Sequence, residues 1–172
     1  AVSYEAYERG KQRYGLVAAE LANYLSDAML DVGSRDDTLS AISGRPCELV
    51  DKHNPDLPDF DWERERLPYN DEAFDSVVCL DTLEHLNCPH DRFDDLLRVS
   101  RGNVIVSLPN CWRNTVLELL TARGRQSSYG LPCETPKDRH QWFFNTEEAL
   151  NFIIYRGLRS PHGYDLVCIR LH

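Results

Sequence analysis

Two largely apolar runs, Ser76–Leu80 and Asn103–Leu108, constrain the fold of this chain more than any other feature. A strand with one face in water alternates apolar and polar residues, whereas a strand buried on both faces is apolar almost throughout. Segments in which apolar residues recur at helical spacing lie between and beside these runs. Strands that alternate with helices predict a mostly parallel sheet covered on both faces, and so an α/β fold.

Spacing and turn residues place the other elements along the chain. Further strands are predicted at 28–32, 47–51 and 164–171, and the proline-rich segment 52–72 is predicted to be loop with a brief strand at 59–62. Five helices are predicted. The first covers 3–26, and the second runs from Ser34 or Asp36, as N-cap, to Gly44. The third covers 89–100, the fourth runs from Trp112 to Gly124, and the last begins at Asn145 or Thr146. The apolar residues expected on their buried faces are Val17, Leu21, Leu25, Leu39, Ile42, Phe93, Leu96, Leu97, Trp112, Val116, Leu119, Leu120, Ala149, Leu150, Ile153 and Ile154.

Composition limits the classes of function. The 172 residues suit one domain that buries a substantial core, and 42% hydrophobic residues argue against disorder. A net charge of −9 disfavours nucleic acid as a partner, because phosphates are attracted by clustered Lys and Arg. No apolar run approaches the ~20 residues that span a bilayer. Residues 1–11 lack the apolar segment of a secretory signal, so a cytoplasmic location is expected, although export before maturation stays open.

The cysteines predict neither a disulfide framework nor a metal site. All six are scattered, with no C-x-x-C pair, and no two histidines have the His-x₃-His spacing of a zinc site. Cys79 and Cys168 lie inside apolar runs, and we interpret both as small core residues.

The strand ends are the places to look for a site, since ligands of such sheets bind at the carboxyl edge. Gly33, just after the first strand, would let a ligand approach the backbone closely. Asp51, after the second, suits a ribose, because a carboxylate accepts hydrogen bonds from two adjacent hydroxyls. Taken singly, each residue is equally well explained as an ordinary turn residue.

In combination, the strand ends resemble those of class I S-adenosylmethionine-dependent methyltransferases. The branch they are most similar to is the small bacterial one of methyltransferase type 11 proteins linked to methionine biosynthesis. The resemblance covers roughly residues 15–155. The segments that carry it are Asp31–Ser34, Glu48–Asp51, Leu67–Cys79, Leu80–Leu86 and Ser107–Asn110.

The resemblance implies a three-layer Rossmann-like sandwich with a shortened third-strand region and a shortened C-terminal end. It implies S-adenosylmethionine as cofactor, S-adenosylhomocysteine as product, and a small-molecule methyl acceptor that the sequence does not identify. The implied cofactor-binding residues are Asp31, Gly33, Ser34, Arg35, Asp51, Lys52, Asp61, Trp62, Leu80 and Asp81.

The position of each residue implies its role in the family. The first strand end would line the methionine part of the cofactor, and Asp51 would hold the ribose. Asp61 and Trp62 would flank the adenine, with Glu63 as an alternative to Asp61. Asp81 would lie beside the cationic sulfur and, together with the first strand end, give it negative surroundings without a metal.

Two departures from the family pattern leave alternatives open. Glycine is usual at the positions of Arg35 and Asp37, and a side chain at Asp37 would crowd the methionine part. A non-catalytic cofactor-binding or scaffolding protein of the same fold is therefore an alternative function. A small NAD-dependent domain is a third, which the missing G-x-G-x-x-G motif disfavours.

Two histidines are the candidate catalytic residues. His85 is the candidate general base, oriented by Asp81 four residues earlier if the segment is helical, and His140 lies in a segment rich in charge and aromatic rings. Each is also explained as a structural anchor for its loop. Residues 125–144 lack periodicity, and we predict that they form a lid over the substrate site.

Overall fold

A computed structural model describes residues 4–34, 36–51, 60–121, 129, 133–134 and 139–158, with the backbone alone for 4–11. The strands are β1 (Met29–Val32), β2 (Cys47–Val50), β3 (Phe74–Leu80) and β4 (Ser100–Ser107). The helices are α1 (Tyr4–Glu20), α2 (Thr38–Ser43), α3 (Pro89–Val99), α4 (Cys111–Leu120) and α5 (Thr146–Leu158). Short 3-10 helices lie at Ala22–Tyr24 and Leu83–His85.

All four strands are parallel, in the order β2-β1-β3-β4. The chain moves from β1 outward to β2, then crosses back over β1 to place β3 on its other side. The order therefore reverses between β1 and β3, and ligands of open α/β sheets bind in the crevice beyond the carboxyl ends at such a point. Gly33 and Asp81 directly follow these two strands.

The two faces of the sheet bury separate cores, because successive side chains of a strand point to opposite faces. On one face Leu30 and Val77 pack with Phe93 and Leu96 of α3. The partly buried Phe152 of α5 packs against the same cluster.

On the other face, Met29 and Val78 pack with Val17 of α1, Leu39 of α2 and Leu21. Helices thus cover both faces, and the predicted three-layer α/β sandwich with a parallel sheet is confirmed.

One buried ion pair holds the loop before β3. The carboxylate of Asp95, on α3, accepts hydrogen bonds from the backbone N–H of Leu67 at 2.6 Å and from Arg98 Nε at 2.7 Å. Arg98 in turn donates to the carbonyl oxygens of Leu67 and Tyr69. Side-chain hydrogen bonds from one helix, and not pairing with a strand, thus hold this loop in place.

Several predicted details are wrong. No strand forms at 60–62, where a turn lies instead, and the single predicted N-terminal helix ends at Glu20 before a separate 3-10 turn. Gly102 lies inside β4, where a Cβ would come within 2.5 Å of the Asp75 carbonyl oxygen, so the close packing of β3 and β4 explains this glycine.

The predicted burial of helix α4 is also wrong, since Cys111 is the residue of that helix that is buried. Trp112 is 52% exposed, although its spacing placed it on the inner face. Periodicity shows that a helix has an apolar side but does not show that another element covers it. The other residues predicted to be buried that are exposed are Ile42, Val116, Leu119, Leu120, Leu150 and Ile154.

Some predictions concern parts of the chain outside the described residues. These are the roles of Arg35 and Lys52, the strand at 164–171, the core position of Cys168 and most of the lid at 125–144. Among the helices that the structure does describe, none combines the length and apolar character needed to cross a bilayer.

We expect Asp95→Ala to lower the free energy of unfolding by about 2–4 kcal/mol, because the Leu67 N–H loses its buried acceptor and Arg98 keeps the exposed Asp71 but loses its buried carboxylate. Asp94→Ala is the matched control on the same helix. It removes an exposed ion pair with Arg156 and should cost about 1 kcal/mol or less. Urea denaturation measures both values, and equal losses would show that the Asp95 contacts do not organise the loop.

Candidate functional site

The crevice begins at Gly33, where β1 ends. Its backbone is left-handed, with φ at 84°, and its N–H donates to the Val50 carbonyl oxygen at 2.7 Å. A Cβ at this position would lie 2.3 Å from Thr82 Oγ1. Only glycine therefore lets the segment after β1 approach the segment after β3 so closely.

Asp31, the third residue of β1, carries a fully buried carboxylate. Neither of its oxygens has a hydrogen-bond partner among the described residues. Burial raises the pKa of Asp31 from 3.8 to about 7, and the nearby hydroxyls of Ser34 and Tyr14 offset only part of that rise. The folded state thus holds a proton here that the unfolded chain has lost, so this group's contribution to stability falls as pH rises from about 4 through 7.

Asp81 follows β3 in a left-handed conformation, with φ at 47°, which is uncommon for a residue with a side chain. Ser107, at the end of β4, fixes it: the Asp81 N–H lies 3.1 Å from the Ser107 carbonyl oxygen, and the Ser107 hydroxyl donates to Asp81 Oδ1 at 2.5 Å. Arg13 of α1 lies 2.5 Å from Asp81 Oδ2. Three elements therefore converge on one carboxylate.

The turn into α2 is organised by two side chains. The buried Ser34 hydroxyl donates to the Asp36 carbonyl oxygen at 2.7 Å, and Asp36 Oδ1 accepts from the Thr38 N–H at 3.1 Å. Asp37 occupies the N-cap position without a side-chain cap and is exposed. Of the two predicted caps, the Asp36 carboxylate is the one that accepts a helix N–H.

The predicted adenine-side residues lie in different surroundings. Asp61 is partly exposed and accepts the Glu63 N–H, whereas Trp62 is buried and its indole lies 3.4 Å from Asp95 Oδ2. The Glu63 carboxylate accepts the Asn87 N–H at 2.9 Å, so it is engaged in joining two loops. Leu80 is buried at the end of β3, and Asp51 is partly buried after β2.

The structure brings together the two candidate catalytic histidines. The rings of His85 and His140 meet edge to face, with centroids 4.7 Å apart. The buried side chain of Glu84 lies beside them, with its Oε1 3.8 Å from His85 Nε2. One ligand atom from each of these three residues, here called the triad, lies within 4.8 Å of the others.

His85 is oriented differently from the sequence hypothesis. Leu83–His85 forms one turn of 3-10 helix, so residues 81 and 85 do not have α-helical spacing, and Asp81 binds Arg13 and Ser107 instead. The Arg139 carbonyl oxygen lies 3.3 Å from His85 Nδ1.

Contacts from the segment 139–142 support the triad. The Gln141 N–H donates to the Glu84 carbonyl oxygen at 2.7 Å, and the Trp142 indole donates to the Leu86 carbonyl oxygen at 2.7 Å. Tyr129 lies on the other side, with its hydroxyl 3.0 Å from His140 Nδ1 and 2.7 Å from Cys111 Sγ. The end of the predicted lid is thus packed against the loop that follows β3.

A cavity of about 150 Å³ opens beside Glu84. Its wall is mostly apolar and includes Leu83, Leu108, Trp142 and Phe152. A carboxylate in the wall of an apolar cavity is typical of sites for small organic molecules.

Sequence reasoning missed Arg13, because its contact with Asp81 depends on how α1 packs on the sheet. It also gave Glu84 only a structural role. The available signal was a charged residue between Leu83 and Leu86 in an otherwise apolar stretch, since a carboxylate is rarely buried unless it is paired.

Comparison with known proteins relates this chain to one family. Residues 56–148 match the family described as Methionine biosynthesis protein MetW. A Thermotoga maritima structure, described as a SAM-dependent methyltransferase and possible histamine N-methyltransferase, aligns at 16% identity over 89% of this chain and 76% of its own, with a TM-score of 0.55. The cyclase SpnF aligns at 16% identity over 91% and 60%, with a TM-score of 0.47. No curated protein matches the sequence.

Gly33→Ala should lower the free energy of unfolding by about 2–4 kcal/mol, because left-handed strain adds to the overlap with Thr82. Gly44→Ala is the control, since it is also left-handed but has open space around its Cβ, and should lose only about 1–2 kcal/mol. Adding Thr82→Ala to Gly33→Ala should recover part of the loss in urea denaturation. Equal losses at both glycines would mean that the close approach is unimportant.

Proposed function

Because this chain belongs to the family of the methionine biosynthesis protein MetW and has the class I methyltransferase fold, we propose that it binds S-adenosylmethionine and transfers its methyl group to a small molecule. The observation that carries the proposal is the buried carboxylate of Asp31, which has no hydrogen-bond partner among the described residues and lies at the sheet's switch point.

The charges at the crevice fit this cofactor. S-adenosylmethionine brings an ammonium, a carboxylate and a cationic sulfur. An ammonium beside Asp31 would supply the donors and the positive charge that a buried carboxylate requires. We assign the partly buried Asp51, at the next strand end, to the ribose hydroxyls, since a carboxylate accepts from two adjacent hydroxyls.

Arg13 and Asp81 complete the electrostatic match. The two side chains pair with each other at 2.5 Å. We assign Asp81 to the cationic sulfur and Arg13 to the carboxylate of the cofactor, so that binding replaces one internal ion pair by two new ones. Ser107 keeps the Asp81 carboxylate in place during this exchange.

Methyl transfer itself requires little from the protein beyond alignment. The acceptor must approach the methyl group in line with the bond that breaks, so positioning is the main contribution to rate. We assign the acceptor to the side of β3 where His85 and His140 meet, with the cavity beside Glu84 for its apolar part. Residues 125–144 would close over it as a lid, and the histidine pair would control the acceptor's proton.

The Arg13–Asp81 pair also favours a second candidate function. It neutralises the carboxylate expected beside the sulfur, as suits a protein that binds the cofactor or a partner without turnover. Release of S-adenosylhomocysteine in the presence of candidate acceptors separates the two functions, because both predict cofactor binding and only one predicts product.

Cofactor binding is tested by titration calorimetry with S-adenosylmethionine and S-adenosylhomocysteine. Asp51→Ala should weaken binding by about 1–3 kcal/mol, the value of charge-assisted hydrogen bonds. Asp27→Ala is the control and should bind like the wild type. Asp27 is exposed, pairs with Arg45 and lies away from the carboxyl ends of the strands. Absence of heat with both ligands at millimolar concentration would contradict the proposal.

The pKa of Asp31 predicts a pH dependence of binding. Below pH 7 the ligand-free protein holds a proton on Asp31 that a cationic ligand must displace, so affinity should rise with pH. With a pKa of about 7, S-adenosylhomocysteine should bind about tenfold more weakly at pH 6 than at pH 8. Asp31→Asn has no proton to lose and should remove this dependence, leaving only the titration of the ligand itself. The same slope in both proteins would show that Asp31 does not meet the ligand.

A further inference from the structure

We propose that Glu84, His85 and His140 bind a divalent transition-metal ion of the Zn²⁺ type. The three side chains offer one carboxylate and two imidazoles, with ligand atoms within 4.8 Å of one another. Imidazole together with carboxylate suits Zn²⁺ and its first-row neighbours, whereas Mg²⁺ and Ca²⁺ prefer oxygen ligands. Three protein ligands leave one position of a tetrahedral ion open for another molecule.

The hydrogen bonds of His85 fix the tautomer that a metal needs. A carbonyl oxygen can only accept, so the contact between His85 Nδ1 and the Arg139 carbonyl places the ring proton on Nδ1. The Nε2 of a neutral ring then carries its lone pair on the side of Glu84 Oε1, 3.8 Å away. A cation between these two atoms would be coordinated by both.

His140 is held in the same way. The Tyr129 hydroxyl lies 2.7 Å from Cys111 Sγ and 3.0 Å from His140 Nδ1. When Tyr129 donates its proton to Cys111 Sγ, its oxygen accepts from His140 Nδ1–H, and this tautomer leaves the lone pair on Nε2 for a metal. A carbonyl or hydroxyl behind each metal-binding imidazole is the usual arrangement of partners in protein metal sites.

Burial of Glu84 supplies the negative charge for the ion. Its side chain is 1% exposed, so its charge would act on the ion with little water between them to screen it. Two ligands of one tetrahedral Zn²⁺ ion lie about 3.4 Å apart when the bonds are about 2.1 Å long. The triad atoms, which lie within 4.8 Å of one another, therefore have to approach by about 1.4 Å at most. Side-chain rotation provides that movement.

The open position of the ion could hold the methyl acceptor. As far as the acceptor is concerned, this inference rests on the proposed function: an acceptor hydroxyl bound to the ion would lose its proton at a lower pH than in water. The imidazoles would then control the acceptor's proton as ligands of the ion, and the proton itself would pass to solvent water. Metal binding by the triad does not depend on methyl transfer.

The test uses the full-length protein, freed of metal by chelation and titrated with Zn²⁺ against a chromophoric competitor. We expect one equivalent to bind, with an affinity at least tenfold lower in Glu84→Gln and in His140→Gln. His90→Gln and Cys133→Ser are controls, because both replace a metal-binding side chain outside the triad and should leave the affinity unchanged.

Titration with Co²⁺ gives a second measurement, because its visible absorption reports the geometry and the ligand set of the ion. Wild-type absorption typical of tetrahedral nitrogen and oxygen ligands supports the site. Loss of this absorption in His140→Gln would show that His140 is one of the ligands. The half-buried His140 keeps the test usable if Glu84→Gln does not fold.

Weak, non-stoichiometric binding, or equal affinity in the triad variants and the wild type, would overturn the metal site. S-adenosylhomocysteine affinity, measured on the same samples, separates the two proposals. Cofactor binding without metal binding rejects the site alone, and metal binding without cofactor binding rejects the proposed function alone.

Discussion

The direct pairing of β1 with β3 is the constraint on which the rest of the site depends. Because both strands are parallel neighbours, their carboxyl ends lie side by side, and the chain must leave them in opposite directions. The left-handed backbone of Gly33 and of Asp81 makes those departures, and the contact between Gly33 and Thr82 sets how closely they approach. A wider separation of these two turns would pull apart the carboxylates on either side of the crevice.

Three buried or half-buried carboxylates are stabilised in different ways against the cost of removing charge from water. Asp95 is compensated by Arg98 and by a backbone N–H, and this arrangement serves the fold. Asp81 is compensated by Arg13, a partner on a different element. Asp31 meets the cost by holding a proton, with its pKa raised to about 7 by burial. A carboxylate that the fold itself does not compensate is the kind most available to a ligand.

The strand ends could be predicted from the sequence because a rule of chain geometry applies to them. Apolar runs identify the strands, parallel order follows from the alternation with helices, and Asp31, Gly33 and Asp81 then have to lie at one edge. The continuous apolar runs also predicted that both faces of the sheet are buried. The burial of α4 could not be predicted, because Trp112 shows where the apolar side of the helix is but not whether a neighbour covers it.

The arrangement of the triad could not be predicted from residues that are close together in the sequence. His85 and His140 each stood out by composition, yet nothing in the sequence near either residue indicates that their rings touch. Their meeting depends on hydrogen bonds from the Gln141 N–H and the Trp142 indole to carbonyl oxygens of the loop after β3, which no spacing rule predicts. Arg13 was missed for the same reason, since an arginine on an amphipathic helix looks like any other solvated cation.

The ion pair between Arg13 and Asp81 makes α1 an internal competitor for the site. On the proposed function, the substrate arrives with a positively charged sulfur and leaves, after transfer, with a neutral one. While the sulfur is charged, it can displace the guanidinium from Asp81. Once the charge has gone with the methyl group, Asp81 regains its strongest partner only by re-forming the pair at 2.5 Å. The helix would thus discriminate between the two forms of the cofactor by charge alone and favour release of the spent one.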